Sequence, residues 1–144
     1  MEGRYPFTPM VTLRPHRQLT LEVAADFKAL GGLRDRIRHW LRDAEVADPV
    51  ADDLLLVATE LCTNAIEATP AEVPVEVTLV NDGSALRLAV ANTPASLLEG
   101  EPPALRLGSL QERGRGLAIV RSLVDTFVMT SIEGRTVVRT MQLL

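Results

Sequence analysis

The sequence predicts a two-layer α/β (α+β) sandwich, in which a mixed, mostly antiparallel sheet carries its helices on one face. The predicted elements follow in the order strand, helix, helix, two strands, irregular segment, helix, two strands, so helices cannot alternate with parallel strands throughout. Two turn sequences, Asn81-Asp82-Gly83-Ser84 and Glu133-Gly134, separate segments of alternating polarity and are typical of hairpins. With 144 residues and 47% apolar residues, the chain suits one domain with a substantial core.

Composition excludes several classes of function. A net charge of −4 argues against a general nucleic-acid binder. No apolar run approaches the length of about 18 residues that suggests a membrane helix, and the N-terminus lacks the apolar region of a signal peptide. We therefore expect a cytoplasmic protein that binds neither nucleic acid nor membrane directly. The single cysteine, Cys62, is expected to be a buried hydrophobic residue, and the distant His16 and His39 do not suggest a metal site.

The first part of the chain divides into a tail, a strand and a helix. Residues 1–15 contain three prolines and no periodicity, and they are predicted to be an N-terminal tail ahead of a single domain over residues 16–144. Residues 18–24 alternate well enough for a strand, and residues 26–45 predict a helix. Its apolar stripe consists of Leu30, Leu33, Ile37, Trp40, Leu41 and Ala44.

The second predicted helix, over residues 48–70, is the element around which the chain is organised. Asp48 is predicted to be its N-cap, Pro49 suits the first helical position and Pro70 ends it. At about 100° per residue, one apolar face points to the core. That face consists of Leu54, Leu55, Ala58, Leu61, Cys62, Ala65 and Ile66.

The opposite face of this helix carries a polar ridge, Glu60, Asn64 and Glu67, at positions i, i+4 and i+7. The ordinary interpretation of such a ridge is a solvated helix face. However, Leu56 and Val57 flank it, and asparagine is a poor helix former in a helix interior. A carboxylate and a carboxamide one turn apart would also suit a site that holds a hard cation or moves a proton.

The second half of the chain adds a glycine motif to the remaining elements. Gly114-Arg115-Gly116 opens the third helix, where glycines let backbone approach a ligand and helix N–H groups favour a phosphate, although a simple turn is the alternative. It is neither a Rossmann fingerprint nor a Walker A loop, because no strand leads into it and no Gly-Lys-Ser/Thr follows. The predicted strands cover residues 73–80, 85–91, 128–132 and 136–143, and residues 92–112 are predicted to be a functional loop or lid.

Together, the two motifs resemble a known family. Glu60-x-x-x-Asn64-Ala65 on one helix and GRGLAIV at the start of the next are similar to the Bergerat-type (GHKL) ATPase superfamily of gyrase and the histidine kinases. Within it, ATELCTNAIEA and ERGRGLAIVRSLVD look most like the small anti-sigma-factor serine kinases of the RsbW/SpoIIAB type. The resemblance runs from about Ala24 to the C-terminus, and it implies a Bergerat ATP-binding fold.

The resemblance also implies roles for individual residues. Asn64 would hold the Mg²⁺ that bridges the ATP phosphates, and Glu60 would be the general base that takes the proton of a serine hydroxyl. Such a site supplies what phosphoryl transfer needs, namely positioning and charge neutralisation. Gly114 and Gly116 would lie against the phosphates, with support from backbone N–H groups of the following turn, which includes Leu117. Arg115 would add positive charge there.

One position departs from the family pattern. The family has an aspartate at the end of the strand before the lid, where it holds the adenine amino group. The matching residue here is Asn92. Its carbonyl can accept one hydrogen bond, but the negative charge is absent, and a charge-assisted bond is about twice as strong as a neutral one.

These observations lead to one expected function and two alternatives. The resemblance implies an anti-sigma factor that binds ATP and Mg²⁺, blocks a sigma factor and phosphorylates a serine of an anti-anti-sigma (STAS-type) protein; it is consistent with a homodimer. The substitution at Asn92 favours a non-catalytic regulator of the same fold that works by occupancy alone. A histidine-kinase-like catalytic module, acting on a partner's histidine, is the third interpretation.

Overall fold

The computed structural model describes residues 17–94 and 114–144. The predicted tail and residues 95–112 of the predicted lid lie outside the described residues. In chain order the elements are β1 (Arg17–Val23), a 3-10 helix (Phe27–Ala29), α1 (Leu30–Asp43), α2 (Asp48–Ala68), β2 (Val75–Asn81), β3 (Ala85–Asn92), α3 (Gly114–Leu123), β4 (Thr126–Ile132) and β5 (Arg135–Leu143).

The five strands form one sheet in the order β1-β2-β3-β5-β4, and every pairing in the described residues is antiparallel. At the β2–β3 hairpin, the Asn81 side chain accepts the backbone N–H of Gly83 at 2.9 Å, and Gly83 adopts a φ of 90°. The β4–β5 hairpin turns at Glu133 and Gly134, which also have positive φ. Both predicted hairpins are confirmed.

The three helices pack on one face of the sheet, which confirms the two-layer sandwich. Alternate residues of β2, namely Val75, Val77 and Leu79, are fully buried beneath them. From the helices, Ile37 and Leu54 enter the same core. No helix in the described part of the chain combines the length and apolarity that a membrane span requires.

The first helical segment begins later than its periodicity predicts. The Asp26 carboxylate accepts the backbone N–H of Lys28 at 2.9 Å and caps a short 3-10 turn, and the α-helix starts only at Leu30. Gly31 and Gly32 follow directly, and their low helix propensity agrees with a weak start. From there the predicted stripe is confirmed, with Leu33, Ile37 and Leu41 buried.

The long helix α2 also differs from the prediction at its start. Its N-cap is Ala47, which makes no side-chain cap, so the prediction that Asp48 is the N-cap was wrong by one residue. Asp48 instead lies in the first turn, where a negative charge favours the N-terminal end of the helix dipole. The helix ends at Ala68, and Thr69 is extended, as expected for a residue before proline.

The apolar face of α2 is wider than predicted. Val57 is completely buried and belongs to the core, whereas Leu56 is 42% exposed. Only Leu56 therefore borders the polar ridge as an exposed apolar residue. The reason is that α2 lies between α1, α3 and the sheet, so it buries more than one narrow stripe.

Candidate functional site

Glu60 and Asn64 lie one turn apart on α2, and both are partly buried. The hydroxyl protons of the neighbouring threonines are already used in hydrogen bonds within the helix. Thr59 donates its hydroxyl proton to the Leu55 carbonyl, and Thr63 donates to the Thr59 carbonyl, each at 2.7 Å. Glu60 and Asn64 are therefore the groups of this stretch that remain available for chemistry.

The Asn64 side chain carries an unmet hydrogen-bonding group. Its amide nitrogen is inaccessible to solvent and has no hydrogen-bond partner among the described residues. A buried polar group without a partner costs about 1–3 kcal/mol. Such a cost is expected where a ligand supplies the missing partner, and a carboxamide offers both a donor for a phosphate oxygen and an oxygen for a cation.

The start of α3 lies directly against Glu60. A Cβ added to Gly116 would collide with the Glu60 Oε1 atom, so the carboxylate can hold this place only while residue 116 has no side chain. Two parts of the chain that are far apart in sequence, the polar ridge of α2 and the glycine motif, thus meet at one point. The family resemblance implies that these two motifs contribute to one site.

The other residues of the glycine motif belong to the first turn of α3, which begins at Gly114 and continues through Arg115. The first N–H groups of a helix have no partner within the helix and carry partial positive charge. Leu117, also predicted to contact phosphate, packs its side chain against the core. Only its backbone N–H is therefore suited to that role.

The fourth part of the site is Asn92, at the end of β3. It is 4% exposed, and its amide nitrogen donates to the Thr69 hydroxyl at 3.1 Å. Thr69 directly follows α2, so this bond joins the strand to the C-terminal end of the same helix that carries Glu60 and Asn64. Thr136, on β5, pairs opposite Asn92 and is also buried.

Sequence reasoning missed Thr69 and Thr136. Thr69 was predicted only to lie near the end of the helix over residues 48–70, and Thr136 only to begin a strand. A buried hydroxyl in an otherwise apolar strand is a weak signal by itself. Asn92 bonds to Thr69 and pairs opposite Thr136, and these contacts connect distant parts of the chain that local sequence patterns do not link.

Two other features of the described residues do not belong to this site. A pocket of about 370 Å³ lies between α1 and α2, lined by Arg38, Leu41, Asp52 and their neighbours, and it includes none of the predicted site residues. In residues 17–94 and 114–144, no group of three or more His, Cys, Asp or Glu side chains is arranged so that it could hold a metal ion. A cation held largely by phosphates needs only one or two protein ligands, so Asn64 fits Mg²⁺ in this role.

The profile of the histidine kinase-like ATPase domain matches residues 23–141. The chain belongs to this family. Its predicted membership of the histidine kinase-like ATPases is thus confirmed, and the match spans both α2 and the glycine motif. No curated protein sequence matches the chain.

Two solved structures share the fold of this ATPase domain. The structure of the RsbU and RsbW domains of Rv1364c from Mycobacterium tuberculosis has a TM-score of 0.62 and 20% sequence identity, over 88% of this chain and 32% of that chain. This chain thus spans about a third of the chain in that structure. The SiaB–SiaC complex from Pseudomonas aeruginosa has a TM-score of 0.62 and 13% identity, over 94% of each chain. At these identities the likeness concerns the fold.

Proposed function

We propose that this ATPase domain binds Mg-ATP between α2 and the start of α3 and phosphorylates a serine of an anti-anti-sigma protein. The observation that carries the proposal is the contact of the Glu60 carboxylate with Gly116, with the unpartnered Asn64 amide one turn away. The match to a family of ATPase domains supports the same function. The N-terminus of α3 supports it too, because a helix N-terminus favours phosphate and this one lies beside a carboxylate.

The positions along α2 fit an extended nucleotide. Thr69 and its partner Asn92 mark one end, and Glu60 with Gly116 marks the other. At 1.5 Å per residue, these ends are about 13 Å apart along the helix axis. A nucleoside triphosphate can span this length, with its base at Asn92 and its terminal phosphate near Glu60.

Each residue then has a chemical role. The Asn64 oxygen would hold Mg²⁺, and the amide N–H groups at the start of α3 would donate to phosphate oxygens. Bound Mg²⁺ would neutralise negative charge on the phosphates. Glu60 would accept the proton of the attacking serine hydroxyl, a contribution typically worth about 10²–10⁴ in rate.

The partners of this chain are the second part of the proposal. We propose a sigma factor that the domain binds and blocks, and an anti-anti-sigma protein that competes for it and is phosphorylated, with a homodimer as the working unit. SiaB, which has this fold, was solved in complex with SiaC, and the RsbW domain of Rv1364c was solved together with an RsbU domain. The SiaB–SiaC complex supports the idea that this fold engages a protein partner, and in Rv1364c the RsbW domain belongs to the same protein as an RsbU domain.

One observation favours a second function. Asn92 replaces the aspartate that the family resemblance predicts, and the loss of its charge weakens the expected bond to adenine. A domain that binds no nucleotide would regulate its partner by occupancy alone.

Calorimetric titration with ATP, with and without Mg²⁺, separates these functions. We expect Mg-dependent binding that Asn64→Ala abolishes and Glu60→Gln retains. Asp52→Ala is a suitable control, because Asp52 is exposed on the same helix about 12 Å before Glu60 and should leave binding unchanged. No binding at millimolar ATP would contradict the kinase proposal and favour the occupancy-only regulator.

Phosphotransfer is tested by incubating the domain and radiolabelled ATP with anti-anti-sigma proteins of the source organism. We expect label on a serine, and its loss with Glu60→Gln. Label on a histidine would instead identify a histidine-kinase-like module, and normal transfer by Glu60→Gln would refute the assignment of the base.

A further inference from the structure

Two buried side chains, Thr69 and Asn92, form a hydrogen-bonded chain at the C-terminal end of α2. The Thr69 hydroxyl donates to the Ala65 carbonyl at 2.6 Å. The Asn92 amide nitrogen donates to the Thr69 hydroxyl oxygen at 3.1 Å. Both residues are less than a tenth exposed, so neither group can exchange these bonds freely for water.

The donor and acceptor at each of these two hydrogen bonds follow from the way in which α2 ends. The backbone N–H of Thr69 donates to the Ile66 carbonyl at 3.2 Å, so the Ala65 carbonyl takes the hydroxyl proton of Thr69 as its donor. A hydroxyl has only one proton. If that proton turned towards Asn92, the Ala65 carbonyl would lose this bond inside the protein, which is unfavourable.

The orientation of the Asn92 amide is therefore determined by Thr69. With its proton used, the Thr69 oxygen can only accept, and the group that must face it is the Asn92 NH₂. The Asn92 carbonyl oxygen, which Thr69 does not engage, is then the group that we assign to a ligand. An aspartate at this position would need no such control, because both of its oxygens accept.

We infer that Thr69 is a positioning residue that makes the nucleotide site select a 6-amino purine over a 6-oxo purine. A carbonyl acceptor at Asn92 matches the amino group of adenine and opposes the oxygen of a 6-oxo base. This inference rests on the proposed nucleotide binding, and it explains how the site retains selectivity for adenine without the family's aspartate.

The test compares the affinities for ATP and inosine triphosphate, whose base carries an oxygen where adenine has its amino group. In the presence of Mg²⁺, we expect the wild-type domain to prefer ATP by about tenfold or more, because one mismatched buried hydrogen bond costs about that much. Thr69→Val removes the hydroxyl at nearly constant shape and frees the amide to turn, so the preference should fall to about threefold or less. Thr69→Ser keeps the hydroxyl and should keep the preference.

The same substitution in an Asn92→Asp variant separates an effect on base selectivity from an effect on folding. In Asn92→Asp both oxygens accept, so adding Thr69→Val to Asn92→Asp should leave the ATP preference unchanged. Thermal unfolding of each variant reports on its folded state. If Thr69→Val binds ATP with the wild-type preference, the inference is wrong and the proposed function stands. If the wild-type domain binds neither nucleotide, both the proposed function and this inference are wrong.

Discussion

Gly116→Ala tests the central contact of the site, because the new methyl group would occupy the place of the Glu60 Oε1 atom. Gly32→Ala is a matched control. Each glycine is the third residue of its helix, and a Cβ on Gly32 would meet no atom within 4 Å. The two substitutions therefore reduce the conformational freedom of the backbone in the same way, and they differ in what the new methyl group touches.

The expected magnitudes follow from two opposing effects. Replacing glycine by alanine in a helix stabilises the protein by up to about 1 kcal/mol, and Gly32→Ala should show most of this gain. In Gly116→Ala the Glu60 side chain must leave its place, at a cost of about 0.5–1.5 kcal/mol if it is forced away from a preferred rotamer. We expect these effects to cancel, so that the free energy of unfolding changes little.

Urea unfolding measures this difference, and a double-mutant cycle assigns it. In a Glu60→Ala background the colliding carboxylate is absent, so Gly116→Ala should stabilise the protein as much as Gly32→Ala does. Phosphotransfer should fall at least about tenfold in Gly116→Ala, because the displaced Glu60 would leave the position that we propose for the base, and should be unchanged in Gly32→Ala.

One result would refute this reasoning. If Gly116→Ala stabilises the domain as much as Gly32→Ala in the presence of Glu60 and also leaves phosphotransfer unchanged, the carboxylate does not lie against Gly116. The proposed placement of the base would then be lost together with the contact that supports it.

Three further predictions concern the fold. Leu54→Ala should cost about 2–5 kcal/mol in urea unfolding, because Leu54 is completely buried, whereas Leu56→Ala, on the exposed side of the same helix, should cost about 0.5 kcal/mol or less. The Ser84 backbone N–H, then the Arg87 side chain, hold the pKa of Asp82 below its usual range; wild type should therefore exceed Asp82→Ala in stability at pH 7, and the difference should shrink as the pH falls below about 4. Burial raises the pKa of the Cys62 thiol to about 12, so at pH 8 it should react with a thiol reagent only after unfolding in urea; rapid labelling of the folded protein would contradict its burial.

Local sequence patterns were sufficient to predict the elements of this fold. The alternation of Val75, Val77 and Leu79 is confirmed as the buried face of β2, and the turn at Gly83 is where the hairpin reverses. These features depend on neighbours within a few residues. By contrast, the insertion of β5 between β3 and β4 pairs distant residues, and no local periodicity encodes that choice.

The burial of Val57 illustrates the same limit at the level of a single side chain. A helical wheel assigns one apolar face, but α2 contacts two other helices and the sheet, so the number of neighbours decides how wide the buried face is. That number is a property of the packed molecule.

For the candidate site, the sequence by itself determined that Glu60 and Asn64 share one ridge, because their spacing matches a helical turn. It also marked the glycine motif as the start of a helix. The tertiary structure decided that Gly116 reaches Glu60 and that the Asn92 amide bonds to the Thr69 hydroxyl. These contacts join residues far apart in the chain, so they exist only because the packing of α3 and β3 against α2 brings the segments together.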